Sequence, residues 1–277
     1  MSKHFGKCAL CGNKEELTFE HIPPRAAFNS TPAKPVSSVE MLKKRNDNKE
    51  RLPWDTDGLR YQNQQQGMGR YSLCHTCNNN TGSWYGDAYI YFANVAHDAI
   101  CNCSDSDANG ITFQGVYPLR FVKQVLSMFC SICDPGAPAL EPIRKFVLDK
   151  DAVGLDKSKY KLCMYFTNST IYKQTGYIVS MKSTSAGMEM MALSEITAYP
   201  FGFILYFDPT ESWHYHGIDI TPLVDRGYND ICDISMLWKV EEMNDIIPES
   251  YRSKDQIKQC IKNNMERCEN KTRQNFN

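Results

Sequence analysis

Four cysteines in two close pairs, Cys8-x2-Cys11 and Cys74-x2-Cys77, are the residues whose spacing most directly implies chemistry. A C-x2-C turn offers two sulfurs from one backbone loop, and two such turns supply the four thiolates that Zn²⁺ takes tetrahedrally. Between the pairs stands Glu20-His21-Ile22-Pro23, and directly after the last cysteine stands Asn78. One ion joining the two turns brings the end of a strand over 17–22 close to the start of a helix carrying Asn78. A carboxylate, an imidazole and an amide oxygen then converge. Oxygen ligands suit Mg²⁺ or Mn²⁺ with several waters retained, and the imidazole is left to take a proton from an attacking water.

The combination CxxC…EHIPP…LCxxCN resembles the HNH, or ββα-metal, endonucleases, and within them the four-cysteine subgroup of the phage recombination endonuclease VII type. The resemblance covers roughly residues 8–100. It implies a zinc-braced fold in which Glu20 is the metal-binding acid, His21 the general base and Asn78 the second ligand of a catalytic Mg²⁺ or Mn²⁺. It also implies DNA hydrolysis to 5′-phosphate and 3′-hydroxyl ends, with RNA left open as a substrate. A role in bacterial or phage conflict, as an antiviral defence effector, is a further expectation from the resemblance. The family acid is usually Asp, one methylene shorter than Glu20. The family's middle Asn has no counterpart before Leu73-Cys74, where Gly69-Arg70 stands.

These groups need elements to hold them. The strand over 17–22 is stopped by Pro23-Pro24. Residues 29–66, polar and ending in QNQQQ, read as a long inserted loop. RYSLC gives a second strand leading into the second cysteine turn. Trp84, Tyr85, Ala88, Tyr89, Phe92, Val95, Ala96 and Ala99 then recur on one helical face. The turn-rich CNCSDSDANG (101–110) reads as the boundary between a first domain, 1–105, and a second, 106–277. In the second, 119–133 reads as a buried helix, while 160–167, 171–180, 200–207 and 231–240 read as strands and 254–270 as a charged helical tail. The expected class is α+β: a zinc-braced ββα-metal unit followed by a mixed α+β domain. That second domain is expected to serve regulation, substrate reading or self-association, through a partner or a second copy.

Composition sets the wider bounds. At 277 residues, 42% apolar and 23% charged, the chain is ordinary for a globular protein. No stretch approaches the roughly 20 apolar residues of a membrane span, and the first residues hold no signal-peptide core, so the expected location is the cytoplasm. There, twelve cysteines imply metal ligands or free thiols rather than disulfides. A net charge of −1 excludes a chain-wide basic footprint. Residues 1–90 nonetheless hold 12 Lys/Arg against 9 Asp/Glu, and the remainder 19 against 23, so a polyanion is expected to meet the N-terminal part.

Arg25, Arg70 and His75 are the candidate phosphate contacts, while the basic run at 43–51 reads equally as a solvated face. Cys130-x2-Cys133 falls in an apolar helix, where cysteine is more often core than ligand, and Cys101-x-Cys103 lacks evident partners. His214 and His216 share one face of an expected strand without companions for a site; His97 reads as structural and His4 as disordered. Two further function classes fit the same residues. One is a zinc module that binds nucleic acid without cutting it. The other is a nuclease effector released by a ligand or partner of residues 106–277.

Overall fold

The computed structural model describes residues 3–103, 109–184, 187–248 and 250–275. Strand β1 (His4–Lys7) turns through the first cysteine pair into β2 (Lys14–His21), and the two pair antiparallel. The expected loop 29–66 is a folded insertion. It contains α1 (Ser38–Asp47), whose N-cap Ser37 accepts the Glu40 N–H at 3.4 Å, and it is closed by the bridges Ala33–Gln64 and Val36–Tyr61. Because α1 buries only Met41, it carries no apolar stripe for the sequence to display. β3 (Gly69–Cys74) returns antiparallel to β2, completing a three-stranded sheet of order β1-β2-β3.

From β3 the chain enters α2 (His75–Thr81), passes through one π-helical turn (Gly82–Gly86) and continues as α3 (Asp87–Cys101). Then follow β4 (Asn109–Val116), α4 (Pro118–Ile132), α5 (Glu141–Leu148), β5 (Tyr160–Thr167), β6 (Lys173–Thr184), β7 (Gly187–Ala198) and β8 (Phe201–Phe207). The short β9 (Ile218–Asp219), β10 (Cys232–Trp238), β11 (Val240–Glu241) and α6 (Lys254–Asn275) close the described chain. The large sheet has the order β11-β5-β8-β7-β6 with β9 beside β5, while β4 and β10 pair separately. The class is α+β, as the sequence implied.

The core explains how the halves are held. α4 is buried at nearly every position, and its Phe121 stacks on Phe92 of α3 with centroids 3.9 Å apart while packing edge-on or tilted against Phe201 and Phe203 of β8. One continuous apolar cluster therefore runs from Cys8, Ala9 and Leu73 through Phe92 and Phe121 to Phe203 and Trp238. The expected boundary at 101–110 lies partly outside the described residues, and side chains on both sides of it belong to this one cluster. Strand alternation sends Cys163, Tyr165, Ile204 and Tyr206 to the opposite face of the large sheet, where they form a second cluster with Trp213 and Met243. His4 is ordered within β1 and stacks on Tyr71 at 3.6 Å. Residues 213–216 are irregular rather than a strand, and His216 stacks on Tyr251 at 3.5 Å. No helix among the described residues is long and apolar enough to cross a membrane.

Candidate metal centre and adjoining cleft

Cys8 and Cys11 sit on the turn between β1 and β2, Cys74 ends β3, and Cys77 lies in the first turn of α2. Gly12, at φ 78°, lets the first turn close where a side chain would be strained. The four sulfur atoms lie within 4.8 Å of one another, and among the described residues this is the only such group of three or more His, Cys, Asp or Glu ligands. Cys11 Sγ is 3.9 Å from Cys74 Sγ, and the Cys74 N–H donates to Cys8 Sγ at 3.3 Å. Hydrogen bonding from the Cys77 thiol pulls Cys8 down to about 4 and pushes Cys77 up, while burial pushes Cys11 up to about 11. A thiolate in this cluster is thus stabilised by its neighbours. The arrangement can hold a structural metal ion such as zinc. α5 supports it from outside: buried Arg144 donates to the Ala9 carbonyl between the first two cysteines at 3.0 Å.

The strand that leaves this cluster carries the acid and the imidazole. Thr18 and Glu20 share one parity along β2 and Phe19 and His21 the other, with a register shift between Thr18 and Phe19, and Phe19, Glu20 and His21 all border one cleft at the end of the strand. Glu20 is 7% exposed and its carboxylate has no hydrogen bond or ion pair among the described residues; burial pushes its pKa up to about 8. His21 packs edge-on against Phe19 and donates from Nε2–H to the Gln66 carbonyl at 3.1 Å. A carbonyl can only accept, so in the neutral ring the lone pair is on Nδ1. Burial lowers the His21 pKa and outweighs the bond to Gln66, so the ring is neutral near pH 7.

Gln66 is itself held. The buried Asn29 amide donates to the carbonyls of Pro23 and Met68 and accepts the Met68 N–H, all at 2.7 Å. Gln64 exchanges two bonds of 3.0 Å with the backbone of Gly69. The insertion therefore supplies the restraint on His21 that the sequence lacked near Gly69-Arg70.

Asn78 completes the predicted set. Its Nδ2 donates to Thr18 Oγ1 at 2.8 Å and reaches the Phe19 carbonyl at 3.5 Å, which leaves Oδ1 as the free acceptor. Glu20, His21, Arg25 and Asn78 line one cleft of about 360 Å³, together with Gly82, Gly86, Asp87 and Gln124. Glu20, His21 and Asp87 are not close enough to share one ion as a triad. What the cleft offers a cation is the carboxylates of Glu20 and Asp87 and the amide oxygens of Asn78 and Gln124, a donor set that suits a hard, partly hydrated ion.

The other candidates fall elsewhere. The Arg70 guanidinium is occupied, donating to the Ile132 carbonyl at 3.2 Å and to Gln174 Oε1 at 3.0 Å. His75 is exposed, and its ring accepts from the Asn79 amide at 3.3 Å. Cys130 and Cys133 are buried and assemble no second metal group among the described residues. His97 accepts from the Tyr199 hydroxyl at 2.5 Å and packs on Phe28. Sequence reading missed Thr18, Asn29, Gln66, Asp87 and Gln124. Thr18 shares the parity of Glu20 on β2, and Gln124 with Lys123 interrupts an otherwise apolar helix, so both left a signal. The chain matches no protein-family model, no curated protein and no solved structure.

Proposed function

We propose that this chain is a metal-dependent endonuclease of the HNH type that hydrolyses phosphodiester bonds in DNA, with zinc at the four cysteines. The observation that carries the reading is the Glu20 carboxylate, buried without a partner and opening onto the same cleft as Asn78 and the restrained His21. A buried carboxylate left unpaired is costly, and a divalent cation offsets that cost. Mg²⁺ or Mn²⁺ held by Glu20 and Asn78 supplies Lewis acidity for the phosphate and the leaving oxygen.

The chain's own groups do the rest. His21 Nδ1 accepts a proton from water as the water oxygen bonds to phosphorus and the bond from phosphorus to the 3′ oxygen breaks. The products are a 5′-phosphate and, after protonation, a 3′-hydroxyl. The Gln66 carbonyl fixes the tautomer that makes this possible and stabilises the imidazolium that forms. Arg25, exposed at the cleft, provides positive charge for a neighbouring phosphate.

The test is plasmid cleavage by purified protein with Mg²⁺ or Mn²⁺, beside two variants. His21→Ala removes the base, so turnover falls by about 10²–10⁴-fold while Mn²⁺ binding persists. Asn78→Ala weakens the metal, so raising Mn²⁺ recovers part of its activity. A wild-type protein that binds DNA without cutting it under either metal identifies a non-catalytic zinc module instead. Cutting only after a factor is added identifies a regulated effector.

A further inference from the structure

Two glycines, Gly82 and Gly86, lie one π-helical turn apart on the helical wall of the cleft, in line with Asn78 before them and Ile90 after them. A glycine in a helix interior is unfavourable relative to alanine, so each calls for a reason. Backbone conformation is not one: Gly82 has φ −60° and ψ −47°, and Gly86 has φ −57° and ψ −46°, both ordinary helical values. Close packing is not one either, because a Cβ added at either position meets nothing within 4 Å. What the missing side chains leave is open space against the backbone of the wall. π-turns of this kind are frequent at functional sites.

Two buried polar groups face the same cleft without partners. Glu20 has an unpaired carboxylate at 7% exposure. Gln124 of α4, 2% exposed, has an Oε1 that accepts no hydrogen bond. Arg25, from the segment that follows β2, lines the same cleft with a positive charge, and Asp87, next to Gly86, adds a charge that repels phosphate. The cleft volume of about 360 Å³ is at the small end for ligand sites. It suits a short length of one strand rather than the width of a duplex.

We infer that the Gly82–Gly86 wall seats the sugar-phosphate backbone of a single nucleic-acid strand, between Arg25 and the Glu20–Asn78 pocket. The inference rests on the nuclease reading for the identity of the ligand, and it adds which surface the strand lies on. A methyl group at either position would occupy the seat.

The experiment uses Gly82→Ala and Gly86→Ala in the full chain. Three quantities are measured: thermal stability, Mn²⁺ binding, and anisotropy of short fluorescein-labelled single-stranded DNA and RNA with Ca²⁺ in place of Mg²⁺. The expected result is an unchanged or raised Tm, unchanged Mn²⁺ affinity, and strand binding weakened about tenfold or more. The two strands report which sugar the seat accepts. Lower Tm in both variants shows structural glycines and overturns the inference. So does wild-type strength of strand binding in the variants, or absence of strand binding in the wild type. If the variants lose strand binding while the wild type cuts no plasmid with any divalent metal, the seat stands and the catalytic reading fails.

Discussion

Asn78 of α2 and Thr18 of β2 are joined by a directed relay. The Asn78 amide donates to Thr18 Oγ1 at 2.8 Å, and the Thr18 hydroxyl spends its own proton on the Leu73 carbonyl at 2.9 Å. Since Thr18 can only accept from Asn78 in this arrangement, the relay sets which way the amide points and leaves Oδ1 as its open acceptor. In the proposed site Thr18 is thus a positioning residue for Asn78, two places before Glu20 on the same strand.

Thr18→Val keeps the shape of the side chain and removes the acceptor. A hydrogen bond of this kind is worth about 0.5–1.5 kcal/mol net. Mn²⁺ affinity, read by electron paramagnetic resonance, should therefore weaken by about two- to twelvefold. Thr18→Ser should restore it, since the hydroxyl returns without the methyl. Equal Mn²⁺ affinity in wild type and Thr18→Val would show that Asn78 needs no such guide.

The cysteine cluster makes a stoichiometric prediction. Metal analysis should find about one zinc per chain. Cys74→Ser should lose that metal and open residues near both cysteine turns to protease, because metal binding and local folding are coupled. Wild-type protein that folds without zinc and resists chelators counts against it.

Glu20 predicts a pH dependence with a definite sign. Its pKa of about 8 lies above the ordinary value of 4.5, so between those values the folded chain binds more protons than the unfolded one. Its contribution to stability is then intact below the lower value and lost as the pH rises through the upper one. Without added divalent cation, the Tm of wild type relative to Glu20→Gln should fall as the pH goes from about 5 to about 8. Added Mn²⁺ should close that gap. A difference that stays flat with pH would place the Glu20 carboxyl in a wetter setting.

Phe121 tests the unity of the core. It touches α3 on one side and β8 on the other, and truncation to alanine should cost about 3–5 kcal/mol. Calorimetry should record one transition moved to lower temperature. Two transitions, with only the later part of the chain displaced, would restore a division near 101–110.

Much of the candidate site was legible because its chemistry depends on residue type and short spacing: the two cysteine pairs, Glu20-His21 and Asn78. The groups that orient them were not. Gln66 acts through its backbone carbonyl, which every residue has, and Asn29 reaches across to Met68 from a segment that looked featureless. Strand β7 escaped because Ser194, Glu195 and Thr197 occupy buried positions. Glu195 is satisfied there by Lys173 at 2.8 Å and by the Tyr165 hydroxyl at 2.9 Å. Polar residues inside and methionines outside invert the pattern by which a strand is normally read. α4 was plain, since a helix buried all round shows itself as an apolar run.

The bond from Arg144 to the Ala9 carbonyl has a consequence for anyone who would move this site elsewhere. The first cysteine turn leans on a guanidinium that also holds the carbonyls of Ala137 and Asp134. A graft of residues 1–103 onto a foreign host leaves that donor behind, along with the α4 surface that covers α3. The knuckle is therefore not a transplantable cassette. Two separately expressed pieces, divided between 103 and 109, should instead recover metal binding only when mixed, each acting as the missing half of the other's interior.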